Sequence, residues 1–347
     1  MPVRFARFAL AGIIAAQLVL GGRATQDLSP AQLRDDVEGV AAVVEREYFD
    51  PATARRVASA IRERLSSGRY ASAKTPGELA LLLTRDLIAE TNDKHLHVAL
   101  LPAAAPQSPP GSEADRAVRG RRANFGVRRV EILAGNVGYL DLTSFFRLNE
   151  ARDVVTAAMQ LLRHADALII DLRANGGGSP DTVAYLVTHF FAEPGVALFD
   201  IVSRTGTTES YAAASEPSIT RNAARPMYAL TSRSTFSAGE GLAFILQERR
   251  RAIVVGERTA GAANPGRPYP ASDRLQVTVP NGQVRTAATG RNWEGIGVAP
   301  DVTIAATDAL RRAHAMALRE LIDKTTDQAW RSTLERHLRD VEAVVSK

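Results

Sequence analysis

The sequence predicts a mixed α/β (α+β) protein: a helical N-terminal segment, a core of largely parallel strands with an antiparallel addition, and C-terminal helices. Three observations predict it. Up to residue 92, apolar residues recur at helical spacing behind three capping signals; between 137 and 256, short apolar runs alternate with helical stretches; from about 307 the helical spacing returns.

The chain opens with Arg4 and Arg7, an apolar run from Phe8 to Leu20, then Gly22-Arg23-Ala24. Charged, apolar and small residues in that order read as a secretory signal over residues 1–24. The run is short for a bilayer crossing. The expectation is a periplasmic or secreted protein with no stable membrane insertion once the signal is removed, an uncleaved anchor being the alternative. With no cysteine, lipid linkage through Cys, disulfides and thiolate metal sites are excluded.

Helix starts are marked at Ser29-Pro30, Asp50-Pro51 and Thr75-Pro76, with Gln32 and Glu78 completing capping boxes in the first and third. Behind them run Leu33, Val37, Val40, Val44 and Tyr48; Val57, Ile61 and Leu65; and Leu79, Leu82, Leu83 and Leu87. One apolar stripe per helix predicts a small bundle within residues 25–101. Residues 102–124, rich in Pro, Ala, Ser, Gly and Arg without a period, read as a linker or flap.

A core over 125–306 follows. Strands are expected at Val137 to Leu142, Ala167 to Leu172, Ala197 to Val202, Met227 to Thr231 and Ala252 to Gly256, with helices near 149–164, 179–191 and 238–250. Such alternation predicts crossover units and parallel pairing. Leu275 to Val279 and Gln283 to Ala287 flank Pro280-Asn281-Gly282, a hairpin signal. Residues 307–347 are expected to form helices packed on the outside or on another subunit.

The 347 residues carry 45% apolar side chains and a formal charge of +5, which falls to +2 when Arg4, Arg7 and Arg23 leave with the signal. That is too little to argue for nucleic acid. Composition favours no cofactor.

A strand leading into a helix at about Ser237 puts this hydroxyl at a helix N-terminus, where developing negative charge is favoured. Taken alone, Ser-x-x-Glu to Glu240 also fits a plain capping box. Asn175-Gly176-Gly177-Gly178 follows a buried strand, and glycines there let backbone amides approach an oxyanion or a phosphate. The run fits neither phosphate-loop spacing. For a base, His164, His189, His314 and His337 fall in helical patterns, whereas His95 and His97 follow the third helix, readable as a base or as two metal ligands lacking a third. The only lysines are Lys74, Lys94, Lys324 and Lys347, so a serine–lysine dyad has little to draw on. A hydroxyl needs such a base, and the base needs a partner to hold its tautomer.

Asp-Lys-His-Leu at 93–96, Asp-Leu-Arg-Ala-Asn-Gly-Gly-Gly at 171–178, Ser-Ala-Gly-Glu at 237–240, Val-Val-Gly-Glu at 254–257 and Trp-Glu-Gly-Ile-Gly-Val-Ala-Pro-Asp at 293–301 together resemble the tail-specific, or C-terminal processing, serine peptidase family. The helical segment and the histidine resemble its branch containing interphotoreceptor retinoid-binding protein and the tricorn protease core. Where the other branch carries a lysine, 25 residues after the nucleophile, this chain has Ala262. The resemblance implies a ClpP/crotonase-like core, Ser237 as nucleophile, His95 as general base, Glu294 as the carboxylate orienting it, and oxyanion donors from Gly176, Gly177 and the Ala238 amide. Asp93 is an alternative orienting group. The tricorn-like serine before the histidine is here Lys94, and no peptide-binding PDZ module fits between Leu101 and Phe125.

The expected function is an exported serine peptidase acting on peptides or unfolded protein through an acyl-enzyme, with no metal or organic cofactor. The alternative is a non-catalytic protein binding a peptide or an apolar ligand on the same fold.

Overall fold

The computed structural model describes residues 27–101, 113–216, 219 and 221–343; the expected signal over 1–24 and much of the expected linker lie outside the described residues. The first three helices are α1 (Pro30–Glu47), α2 (Pro51–Ser66) and α3 (Pro76–Thr91). Ser29 and Gln32 bond each other's amides at 3.2 and 3.0 Å, and Asp50 accepts the Thr53 amide at 3.0 Å. Thr75 accepts the Glu78 amide, but the Glu78 carboxylate turns to the Lys74 amide at 2.7 Å, one residue before the expected cap partner. Strand β1 (His97–Leu100) follows, and α4 (Glu113–Arg122) stands in the stretch read as a linker.

The remaining elements are β2 (Val127–Leu133), β3 (Val137–Leu142), α5 (Leu148–Leu161), β4 (Ala167–Asp171), α6 (Pro180–Val187), β5 (Ala197–Ser203), β6 (Thr208–Ala212), β7 (Met227–Thr231), α7 (Ala238–Glu248), β8 (Ile253–Gly256), β9 (Gly266–Pro270), β10 (Leu275–Pro280), β11 (Gly282–Thr286), β12 (Val302–Thr303), α8 (Ala306–Lys324) and α9 (Gln328–Ala343). Six of them form the central sheet, in the order β12-β8-β7-β4-β3-β2. All its pairs are parallel except β2 with β3.

Strand β4 is buried along its whole length, as a sheet covered on both faces requires. Leu168 and Ile170 join the layer containing Val155, Leu186 and Leu242. Ala167 and Ile169 face the other way, onto Ala313, Ala317 and Leu318 of α8. The C-terminal helix α8 therefore covers the second face of the sheet. No helix among the described residues is long and apolar enough to cross a membrane.

The expected hairpin at Pro280-Asn281-Gly282 does not form. Strand β10 pairs with β1 and β9, whereas β11 pairs with β5. A two-residue turn of this kind needs left-handed backbone at Asn and Gly, and neither Asn281 nor Gly282 adopts positive φ. The Asn281 amide donates instead to Pro265 at 3.1 Å, and the chain runs on from one small sheet into the other. Val98, Leu275, Val277 and Val279 complete the apolar core of the helical bundle. A strand from late in the chain thus closes the domain that precedes it.

Candidate active site

Helix α3 ends at Asn92, whose left-handed backbone (φ 56°) reverses the chain. The buried Asp93 then accepts the His95 amide at 3.0 Å, a local turn that presents the imidazole just before β1. His95 Nε2 lies 3.1 Å from Ser237 Oγ, across 142 residues of sequence. The Phe236 ring packs against the imidazole with centroids 4.9 Å apart.

Ser237 stands between β7 and α7 with φ 52° and ψ −123°, a conformation that L residues rarely adopt. Its neighbours hold it there. The Phe236 amide donates to the Asn175 carbonyl at 2.9 Å, and the Ser237 amide donates to the Glu240 carboxylate at 2.9 Å. Gly177 passes so close that an added Cβ would sit 2.6 Å from Ser237 Cβ. Only glycine fits this approach.

The glycine loop is pinned to the sheet at both ends. Arg173 grips Asp171 at the end of β4 through two hydrogen bonds of 2.9 and 2.6 Å. The buried Asn175 side chain donates to Leu142 O at 3.0 Å and accepts the Gly177 amide at 2.9 Å. This corrects part of the oxyanion expectation. The Gly177 amide is used by Asn175, and the Gly176 amide donates to Thr143 O at 3.0 Å. The amides of Ala238 and Gly178 make no hydrogen bond among the described residues, and both residues line the pocket that holds Ser237.

Two carboxylates flank the imidazole. One oxygen each from Asp93 and Glu294 and one ring nitrogen of His95 lie within 4.8 Å of one another. Glu294 accepts the Ala263 and Asn264 amides at 2.6 and 2.9 Å through Oε2. Its Oε1 and His95 Nδ1 are both buried without a hydrogen-bond partner among the described residues. Asp93 faces the Tyr48 hydroxyl and the Asn264 amide group, each at 3.4 Å. A metal ion could use the same three atoms, but it would then take a nitrogen through which a serine-activating imidazole must stay oriented.

Burial pushes the Glu294 pKa up, and the nearby Asp93 charge pushes it further. Asp93 is raised as well, chiefly by burial. Two carboxyl groups this close, with no cation between them, do not both ionise readily. Burial lowers His95 to about 4, so the resting imidazole is neutral and able to accept a proton. Lys94 donates to the Ala260 carbonyl, and Ala262 is buried at the position where the other branch would hold an amine.

Beside Ser237 lies a small apolar pocket of about 60 Å³, walled by Val183, Phe199, Ile201, Ile245, Val284 and Trp293. The Trp293 indole donates to Ala262 O at 2.9 Å, which fixes this wall next to Glu294.

The structure brings Ser237, His95 and Glu294 into one site. Sequence reasoning missed Tyr48, Asn175 and Asn264. Tyr48 lay at the end of an apolar stripe and read as core, and Asn175 was quoted only as part of the glycine run. Nothing in the sequence around Asn264 marks it.

The sequence profile of peptidase family S41 matches residues 136–304, and that of the N-terminal domain of peptidase S41 in eukaryotic IRBP matches residues 30–121. The chloroplastic carboxyl-terminal-processing peptidase 2 of Arabidopsis thaliana is 31% identical over 168 residues, covering 48% of this chain and 31% of the relative. A carboxyl-terminal-processing protease of Synechocystis sp. is 31% identical over 170 residues, covering 49% and 38%. The chain thus spans about a third of the length of these relatives. Among solved structures, mature CPAF superposes with a TM-score of 0.58 at 12% identity, over 85% of this chain and 99% of CPAF. A lipoprotein from Streptococcus agalactiae gives 0.53 at 16%, over 82% and 96%. These two likenesses show a shared fold. The two profiles take up the helical bundle and the central core in turn, and the chain belongs to peptidase family S41.

Proposed function

We propose that this chain is an exported serine peptidase that hydrolyses peptide bonds of peptides or unfolded proteins through an acyl-enzyme. The observation that carries the reading is the 3.1 Å approach of His95 Nε2 to Ser237 Oγ, on a serine held at φ 52°. In the first step His95 takes the hydroxyl proton as Ser237 Oγ attacks the scissile carbonyl. The imidazolium that forms is stabilised by Glu294, one of whose carboxylate oxygens lies within 4.8 Å of a ring nitrogen of His95. Charge on the carbonyl oxygen is met by the Ala238 amide at the start of α7, with Gly178 as the second donor. His95 then hands its proton to the leaving amine, and water repeats the sequence to release the acid.

The apolar pocket favours a small aliphatic side chain on the acyl side of the scissile bond. Export rests on the signal-like order of residues 1–24. The test is labelling with a fluorophosphonate alongside hydrolysis of an unfolded protein. The parent is expected to label and cleave, and Ser237→Ala to do neither while keeping its fold. A folded parent that neither labels nor cleaves overturns the reading in favour of a binding protein.

A further inference from the structure

We infer that the cleft at the opposite end of β7 and α7 from Ser237 is a binding site for a phosphate-bearing anion. The inference is independent of the peptidase reading. The cleft holds about 430 Å³ and is lined by the turn before β7, the end of α7, the start of β8 and Glu320 of α8. Strand β7 begins in its wall at Met227 and runs toward Ser237, and α7 leads back from Ser237 over 11 residues, about 16 Å of helix. The cleft thus lies at the edge of the sheet away from the reacting groups.

Three arginines line it, Arg225, Arg250 and Arg251, and none is paired with an acid among the described residues. Arg225 is only 6% exposed, yet its guanidinium is engaged through Nη1 alone, with Leu162 O at 2.8 Å, and its Nε is buried without a hydrogen-bond partner among the described residues. Arg251 donates to the carbonyls of Phe190, Arg225 and Asn222 at 2.7, 3.0 and 3.0 Å. Burial lowers Arg225 to about 10 and the Arg251 charge adds to this, whereas hydrogen bonds to Asp171 and Asp36 push Arg173 and Arg274 up. Neighbouring guanidiniums that meet only carbonyls lack a counter-charge, which is costly away from water. Two acids also line the cleft, but Asp301 is taken by the Val254 amide and Gln247, and Glu320 by the Tyr228 hydroxyl and Lys324. Neither is paired with an arginine of the cleft.

Arg250 reaches the cleft from a position that favours glycine. Helix α7 ends with the Arg251 amide donating to Leu246 O at 2.7 Å and the Arg250 amide to Gln247 O at 2.8 Å, a pairing that a left-handed glycine usually closes. Here Arg250 holds that conformation, at φ 54°, with its side chain exposed on the cleft wall. Cations suit the end of a helix by themselves, but the three carbonyls that Arg251 takes all lie outside α7. A phosphate group brings about two negative charges and three acceptor oxygens, which can meet several guanidinium forks at once. A carboxylate brings one charge and two oxygens.

The test is calorimetric titration of the full chain with inorganic phosphate, against acetate at matched ionic strength. Saturable one-to-one binding of phosphate is expected, at least about ten-fold tighter than that of acetate. Arg250→Gly should weaken phosphate binding about ten-fold while keeping a Tm no lower than the parent's in phosphate-free buffer, since glycine relieves the positive φ. Arg225→Gln should abolish binding; if that variant does not fold, Arg250→Gly decides alone. Cosedimentation with phosphatidylglycerol vesicles separates the sources. Attachment that is lost in Arg250→Gly identifies a lipid headgroup, and phosphate binding without attachment identifies a free phosphate. No saturable phosphate binding, equal affinity for acetate, or an affinity unchanged in Arg250→Gly overturns the site.

Discussion

The Glu240 carboxylate, fully buried, accepts the Ser237 amide at 2.9 Å and so holds the backbone of this serine from inside the protein. It also takes the Gly261 and Ala262 amides and the Thr259 hydroxyl at 2.6, 2.9 and 2.5 Å. Burial pushes its pKa up, while these four donors favour the charged form. Glu240→Gln would turn an NH2 toward at least one buried N–H. We expect a loss of about 2–3 kcal/mol and slower fluorophosphonate labelling, read by denaturant unfolding and by labelling rate. Parental values for both would show that the contact is dispensable.

Ser237→Gly should be inactive yet more stable than Ser237→Ala, by about 1 kcal/mol, because glycine relieves the positive φ that alanine must still bear. Thermal unfolding of the two variants side by side checks this. If alanine is the more stable, the site stores no backbone strain.

The acid limb of activity should be set by the carboxyl pair, since His95, lowered to about 4, is neutral well before the raised Glu294 ionises. Rate should therefore climb with pH above the ordinary 4.5 of a glutamate. Asp93→Asn should move that limb to lower pH by removing a neighbouring negative charge, whereas Glu294→Gln should cost at least about 100-fold in kcat. The opposite pattern would make Asp93 the orienting group. Ser237 labelling rates across pH give the readout.

Stability should respond with a definite sign. A carboxyl group raised in the folded state contributes stability at low pH that is lost as pH rises through its folded value, which is the case for Glu294 and Asp93. His95 contributes the reverse, present above its ordinary 6.5 and lost as pH falls toward about 4. Glu294→Gln, which keeps an oxygen for the Ala263 and Asn264 amides, should be at least as stable as the parent at pH ~8. Unfolding curves of the two proteins at pH ~5 and ~8 test it, and a variant less stable at pH ~8 than the parent contradicts the assignment.

Ile201→Ala should enlarge the pocket beside Ser237 and shift cleavage from after small aliphatic residues toward Leu or Phe, by about ten-fold in relative kcat/KM. Peptide libraries varied at that residue measure it. An unchanged preference would place the acyl-side residue elsewhere.

Much of the fold could be read in advance because its signals are local. Ser29-Pro30 and Asp50-Pro51 cap as their chemistry dictates, and the apolar run at Ala167 carries the burial of a central strand. The Pro-Asn-Gly hairpin was misread because partners distant in sequence, β1 and β5, outweigh the local turn preference. Within the site, Ser237, His95 and Glu294 were legible only as a set matched to a family. Tyr48 and Asn264 carry no periodicity or spacing, and their roles arise from where the fold delivers them. Gly176 and Gly177 were misjudged because a glycine run signals close approach without saying which amides are already engaged.

The late strand that completes the bundle also sets an order of events during synthesis. A ribosome releases His95 long before Ser237, and β10 and Glu294 emerge after both. Until some four-fifths of the 347 residues have been made, the imidazole has neither β10 beside its strand nor Glu294, so no product that stops before residue 294 holds all of these groups. The meeting of His95 with Ser237 and Glu294 therefore waits on nearly the whole chain.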